Sequence, residues 1–142
     1  MSTLKVTNVK HETSGINTLV FDNGGSSGGN GRVTTKGTIG EISAISYAST
    51  ITLDFRTANN FSTTLTGNTT FANPSNISAG QSGVIFITQD GTGSRTAAFG
   101  SYWDFSDGTA PTLSTGANAV DMIVWIARSS TKISAQFSGN FS

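Results

Sequence analysis

The chain has 142 residues, eight Lys plus Arg against eight Asp plus Glu, and no cysteine. That excludes a disulfide framework and a thiolate metal site, and it leaves no net field to draw nucleic acid or an anionic membrane, while the length suits one compact domain with room for an arm. Charged residues are only 11% of the chain, against 42 Ser or Thr and 17 Gly, so the surface is mostly neutral hydroxyl and amide, and partners are expected to cover much of it, because a soluble monomer normally carries more charge.

Helical spacing is nearly absent, because Thr, Ser, Asn and Gly interrupt every window in which apolar residues three and four apart could accumulate. Short alternating runs bounded by Gly, Asn, Asp and Ser predict many short strands instead. Leu4, Val6 and Val9 mark a first strand-capable segment, and Ile16, Leu19 and Phe21 a second. Residues 22–31, rich in Gly, Ser and Asn, have no side chain able to hold a core and read as a flexible linker. Residues 32–48 are weakly patterned. Ile39, Ile42 and Ile45 at spacing three allow one helical turn, against which Gly37 and Gly40 count.

From residue 49 the pattern sharpens. Ile51, Leu53 and Phe55 alternate with Thr50, Thr52 and Asp54, as on a strand with one dry face. Phe61, Thr63 and Leu65 repeat this, and Gly67-Asn68 is a turn signal from which residues 69–71 return. Residues 83–88 are continuously apolar in the middle, which suits a strand buried on both faces. Asp90-Gly91-Thr92-Gly93 turns the chain, 95–99 is a short strand, and 100–119 is loop-like. Residues 120–127 are a second strongly apolar run containing Trp125, and Ile133, Ala135 and Phe137 alternate on a last strand.

Strands at this spacing predict an all-β fold: a β-sandwich or jelly-roll-like antiparallel module over 48–142, after a connector, 32–47, and an extended N-terminal attachment arm, 1–31. Leu4, Val6, Val9, Ile16, Leu19 and Phe21 would be the arm's partner contacts, gaining order by pairing with another chain's sheet edge. The opening residues carry no apolar core of signal-peptide length, and no apolar run is long enough for a bilayer, so soluble production is expected.

No catalytic, cofactor or metal site is expected. His11, the sole histidine, sits beside Glu12 in the arm, a poor place for a fixed nucleophile–base pair. Asp104 and Asp107 bracket aromatic residues, but a calcium site needs more oxygen ligands, and a turn explains them better. Gly91-Thr92-Gly93 lacks the helix and Lys of a phosphate loop. Arg56, Arg95 and Arg128 lie in or beside strand-like runs and need partners, for which Asp54, Asp90 and Asp121 are candidates. Tyr102, Trp103 and Phe105 in one loop could form a contact hot spot or plug the core.

Several runs carry a family resemblance. They are Ile51-Thr52-Leu53-Asp54, Asn60-Phe61, Leu65-Thr66-Gly67-Asn68-Thr69-Thr70-Phe71, Val84 to Thr88 with Gln89-Asp90-Gly91-Thr92-Gly93-Ser94-Arg95-Thr96, and above all the stretch from Gly108 through Pro111, Leu113 and Gly116 to Asp121. Together they resemble the β module of bacteriophage tail fibres and related virion structural proteins of marine phage type. The opening, Met1 to Val6 with Asn8 and 16–22, is similar to the start of such proteins. The resemblance implies a trimerising β module on a virion, assembled in the host cytoplasm, and brings no catalytic residues. Fibres are usually long, and this chain has no room for a shaft. The leading expectation is therefore a capsid decoration (cement) protein, with sister subunits and the major capsid protein or another virion protein as partners. The alternative is a short tail-fibre or tip protein that binds host surface glycans.

Overall fold

The structure is a computed structural model, and it describes residues 39–141. Among these the all-β expectation is met: nine strands, and a single 3-10 turn at Ser106–Gly108. The strands are β1 (Ile42–Ala44), β2 (Thr50–Ile51), β3 (Asn60–Leu65), β4 (Thr69–Phe71), β5 (Ser82–Gln89), β6 (Ala97–Phe99), β7 (Trp103–Phe105), β8 (Val120–Ser129) and β9 (Lys132–Ser138). The arm expected at 1–31 lies outside the described residues. The strand β1 falls where one helical turn was allowed for, inside the segment expected to be a connector.

Two sheets share the strands. One has six, in the order β1-β3-β5-β8-β9-β7, and the other three, in the order β2-β4-β6. As far as β6 the chain alternates between the sheets, and each strand lies parallel to the one two places before it. Ile42, Asn60 and Val84 stand in register in the first sheet, and Thr50, Thr70 and Ala98 in the second. The chain thus winds through three successive coils, each sheet's strands serving as the other's crossover connection. The winding then ends. β8 pairs antiparallel with β5, β9 antiparallel with β8, and β7 parallel with β9. The expected antiparallel pairing is therefore mixed, with five of the seven strand pairs parallel. Alternating apolar residues define which face a strand buries, not the direction of its neighbour.

The signal at Gly67-Asn68 marks a corner between sheets rather than a hairpin. Asn68 ties neighbouring coils: its carbonyl accepts the Tyr47 hydroxyl at 3.1 Å, and its Oδ1 accepts the Thr96 N–H at 3.0 Å. A Cβ at Gly67 would sit 2.4 Å from the Tyr47 hydroxyl oxygen, so any other residue here would push the tyrosine ring aside.

The core lies between the sheets. Phe61, Ile85, Ile123 and Phe137 form one row across the first sheet, and Ile51, Phe71 and Phe99 one across the second. Phe55, from the link between β2 and β3, stacks on Trp125 with centroids 4.0 Å apart and on Phe61 at 5.9 Å. Each fully buried side chain among these contributes about 1.5–3 kcal/mol by leaving water, and the half-buried Phe99 and Phe137 less.

The motif regions explain themselves as joints. The buried Gln89 grips the backbone of Arg95 from both ends, its Oε1 accepting the N–H at 2.8 Å and its Nε2 donating to the carbonyl at 2.9 Å. Asp90 closes the same turn by accepting the N–H groups of Thr92 and Gly93. Gly93, at φ 76°, lies so close to the next loop that an added Cβ would be 2.4 Å from the Thr115 carbonyl oxygen. Ser94 donates to that carbonyl, and Asn118 donates to the carbonyl of Asp90. The fully buried Asp121 anchors the loop's end and the last residues, accepting the N–H of Ser114 at 2.8 Å and of Asn140 at 3.0 Å.

Candidate functional site

The outward face of the six-stranded sheet is the most distinctive surface. Both β5 and β8 carry apolar residues on both sides. Ile85, Ile87, Ile123 and Trp125 point into the core, while Val84, Phe86, Met122, Val124 and Ile126 point out. The outward residues meet across the strands, Val84 opposite Val124 and Phe86 opposite Met122. Val124 and Ile126 are 43% and 49% exposed. Ile42, also exposed, stands on the same face on the edge strand β1, beside Asn60 and Val84 in register. No charged residue interrupts the outward positions of β5 or of β8 as far as Ile126. A strand expected to be buried on both faces is thus covered on one only. Contiguous apolar surface of this kind is a candidate interaction site.

Charges lie at the margins. At one, Asp104 of β7 meets Arg128 of β8 through Oδ2 and Lys132 of β9 through Oδ1, the latter at 3.2 Å. All three are well exposed, so the triad adds little stability. Elsewhere Arg95 pairs with Asp90 at 2.8 Å. This contact, followed by the Gly93 N–H, holds the Asp90 carboxyl below the usual carboxylate range, and the carboxylate raises the Arg95 guanidinium in turn. The Asp54 carboxyl is likewise lowered, first by the Asn76 side chain and then by the Arg56 N–H.

Two depressions carry polar side chains. One, of about 480 Å³, lies beside β3 beyond the end of β1 and is lined by hydroxyl groups including those of Ser46, Tyr47, Thr64 and Thr88. The other, of about 400 Å³, lies beside Arg56, Asn76 and Gln81. Among the described residues no three His, Cys, Asp or Glu side chains gather to hold a metal ion.

Trp103 is in the core, 6% exposed, its indole N–H donating to the Ala72 carbonyl at 3.1 Å. Tyr102 and Phe105 are half-buried, and Phe99 meets Trp103 and Phe105 edge-on at 5.9 and 4.8 Å. These three aromatics are brought together as core and its lining. Leu4, Val6, Val9, Ile16, Leu19 and Phe21 lie outside the described residues. Of the arginine partners, Asp90 serves Arg95 as expected. Arg128 takes Asp104 rather than Asp121, whose oxygens are occupied by backbone N–H groups in the core. Arg56 reaches Asn76. The outward row from Val84 to Ile126 was not singled out from sequence, although the unbroken apolar runs were its signal.

A coiled, all-β body with joints built from turn motifs and a broad uncharged sheet face defines a structural module. A family model of the phage tail fibre C-terminal domain matches residues 33–128. The chain belongs to this family, and is a structural component of a phage virion. No curated protein and no solved structure matches it.

Proposed function

We propose that the chain is the distal module of a short tail fibre or tip, assembled as a homotrimer through the outward face of the six-stranded sheet and binding host surface glycans. It acts by binding, not catalysis. The family match favours the tail over the capsid-decoration expectation. The observation that carries self-association is the apolar row Val84, Phe86, Met122, Val124 and Ile126, in which, among the described residues, Val124 and Ile126 are exposed and the other three half-buried. An identical neutral face is a fitting partner because neither side brings a charge that the other must leave unpaired.

Antibody labelling of purified particles, with copy number from gel densitometry, tests the location. A few copies at the tail support the proposal, and hundreds over the head restore the decoration expectation. Purified chain should also compete with the phage for adsorption to host cells.

A further inference from the structure

The described cations divide in two. Arg95, Arg128 and Lys132 have carboxylate partners. The Arg56 guanidinium has none at ion-pair distance among the described residues. Its Nη2 donates to Asn76 Oδ1 at 3.1 Å. Asn76 is itself fixed, because its Nδ2 donates to Asp54 Oδ1 at 2.7 Å and its backbone holds the left-handed region at φ 56°. Asp54 Oδ1 also accepts the Arg56 backbone N–H at 2.9 Å. One carboxylate therefore orients both the asparagine and the start of the arginine, and the carboxamide orients the guanidinium. Asp54 is the acidic neighbour and offsets part of the arginine's charge. The donor fork remains, with most of its five N–H groups lacking a protein acceptor.

This fork borders the 400 Å³ groove, whose other walls are Phe55, Ile77, Ser78 and Gln81. Gln81 is locked, donating to the Phe55 carbonyl at 2.5 Å and to Asn59 Oδ1 at 2.8 Å. The groove thus pairs an oriented guanidinium with fixed amides, a serine hydroxyl and an apolar wall at Ile77. Guanidinium recognises planar or tetrahedral oxyanions through paired hydrogen bonds. Hydroxyl and amide walls suit the polyol that carries such a group. The chain's zero net charge gives no basic footprint for nucleic acid.

We propose that this groove binds the anionic group, carboxylate or phosphate, of a host-surface saccharide, with Arg56 as the anchor and Asn76 as its positioning residue. The proposal rests on the host-binding function given above and names its ligand class.

Binding of the full chain to three probes tests it by calorimetry at low and high salt: an oligomer of glucuronic acid, glucose 1-phosphate, and a neutral glucose oligomer. At least one anionic probe should bind about tenfold or more tightly than the neutral one, and more weakly as salt rises. The glucuronate and phosphate arms separate the two sources of the anion. Arg56→Gln should weaken that binding about tenfold or more, with Arg56→Lys intermediate because it keeps the charge and loses the fork. Asn76→Gly, which tolerates the positive φ, should weaken binding with its thermal melting transition retained.

Binding of neither anionic probe, or equal binding by folded Arg56→Gln, overturns the proposal. If the parent chain still competes for host cells in that case, the fibre function stands and only the groove assignment falls. If an anionic probe binds at Arg56 while the chain ignores host cells, the groove stands as an anion site and the host-binding function falls.

Discussion

Replacing Asp121 by alanine should be among the most damaging single changes in the protein. The carboxylate is fully buried and accepts two backbone N–H groups, one from Ser114 in the long loop and one from Asn140 near the end of the described chain. A hydrogen bond to a charged group is worth about 1.5–3 kcal/mol, and a buried donor that loses its acceptor keeps its desolvation cost, so Asp121→Ala should destabilise by about 3–6 kcal/mol. Domains of this size are stable by only about 5–15 kcal/mol. With a urea slope of about 2 kcal/mol per molar, the midpoint should fall by about 1.5–3 M. Asp121→Asn keeps one acceptor oxygen and should lose about half as much. Equilibrium urea unfolding followed by tryptophan fluorescence reports this, because the indole of Trp125 on the same strand is buried. An Asp121→Ala midpoint within about 0.3 M of the parent would refute the anchoring role given to this carboxylate.

Other substitutions have distinct signatures. Thr63→Val should be neutral or stabilising by about 1 kcal/mol in thermal unfolding, because the buried Thr63 hydroxyl has no partner to lose. Gly93→Ala should destabilise by about 1–3 kcal/mol or more in the same assay, since it meets a positive φ and the Thr115 carbonyl together. Trp103→Ala should cost about 3–5 kcal/mol of stability, like other large core truncations, and a folded remnant should keep its partner binding. The lowered Asp54 and Asp90 carboxyls contribute stability that is complete above the ordinary carboxylate value of 3.8 and drains away as pH falls below it. The melting temperature should therefore drop between about pH 4 and pH 2, and Asp90→Asn should flatten part of that drop.

Much of the fold was legible in the residues. The alternation of Ile51 with Leu53 and of Phe61 with Leu65 reports a dry and a wet side directly, and each of these side chains is buried. The apolar runs at 83–88 and 120–127 fall on β5 and β8, which pair at the middle of the six-stranded sheet, although the second face that the run at 83–88 led one to expect buried is only partly so. Strand direction was not legible. Nothing in Thr69-Thr70-Phe71 says that it leaves the sheet of β3 for another, because that choice is made by Asn68 contacts with Tyr47 and Thr96, 21 and 28 residues away. The short β7 hid inside a loop-like stretch, since three residues give no period to read. The aromatics Tyr102, Trp103 and Phe105 stood out by type, but sequence spacing does not show that Trp103 packs on Phe99 and bonds the Ala72 carbonyl, or that Phe105 also meets Phe99. The candidate interface left a signal, hydrophobicity in excess of what one buried face requires, but that signal reads equally as burial on both faces. The Asp54–Asn76–Arg56 chain was invisible, because it joins adjacent coils of the winding.

The solution mass of the purified chain, measured by light scattering at micromolar concentration, bears most directly on the uncovered sheet face. The parent should run at three times the 14.7 kDa of one chain, and a Val124→Lys, Ile126→Lys double variant should fall to a single chain with an unchanged far-ultraviolet β spectrum. A parent that stays monomeric, or a double variant that keeps the parent's assembled mass, would contradict self-association through this face.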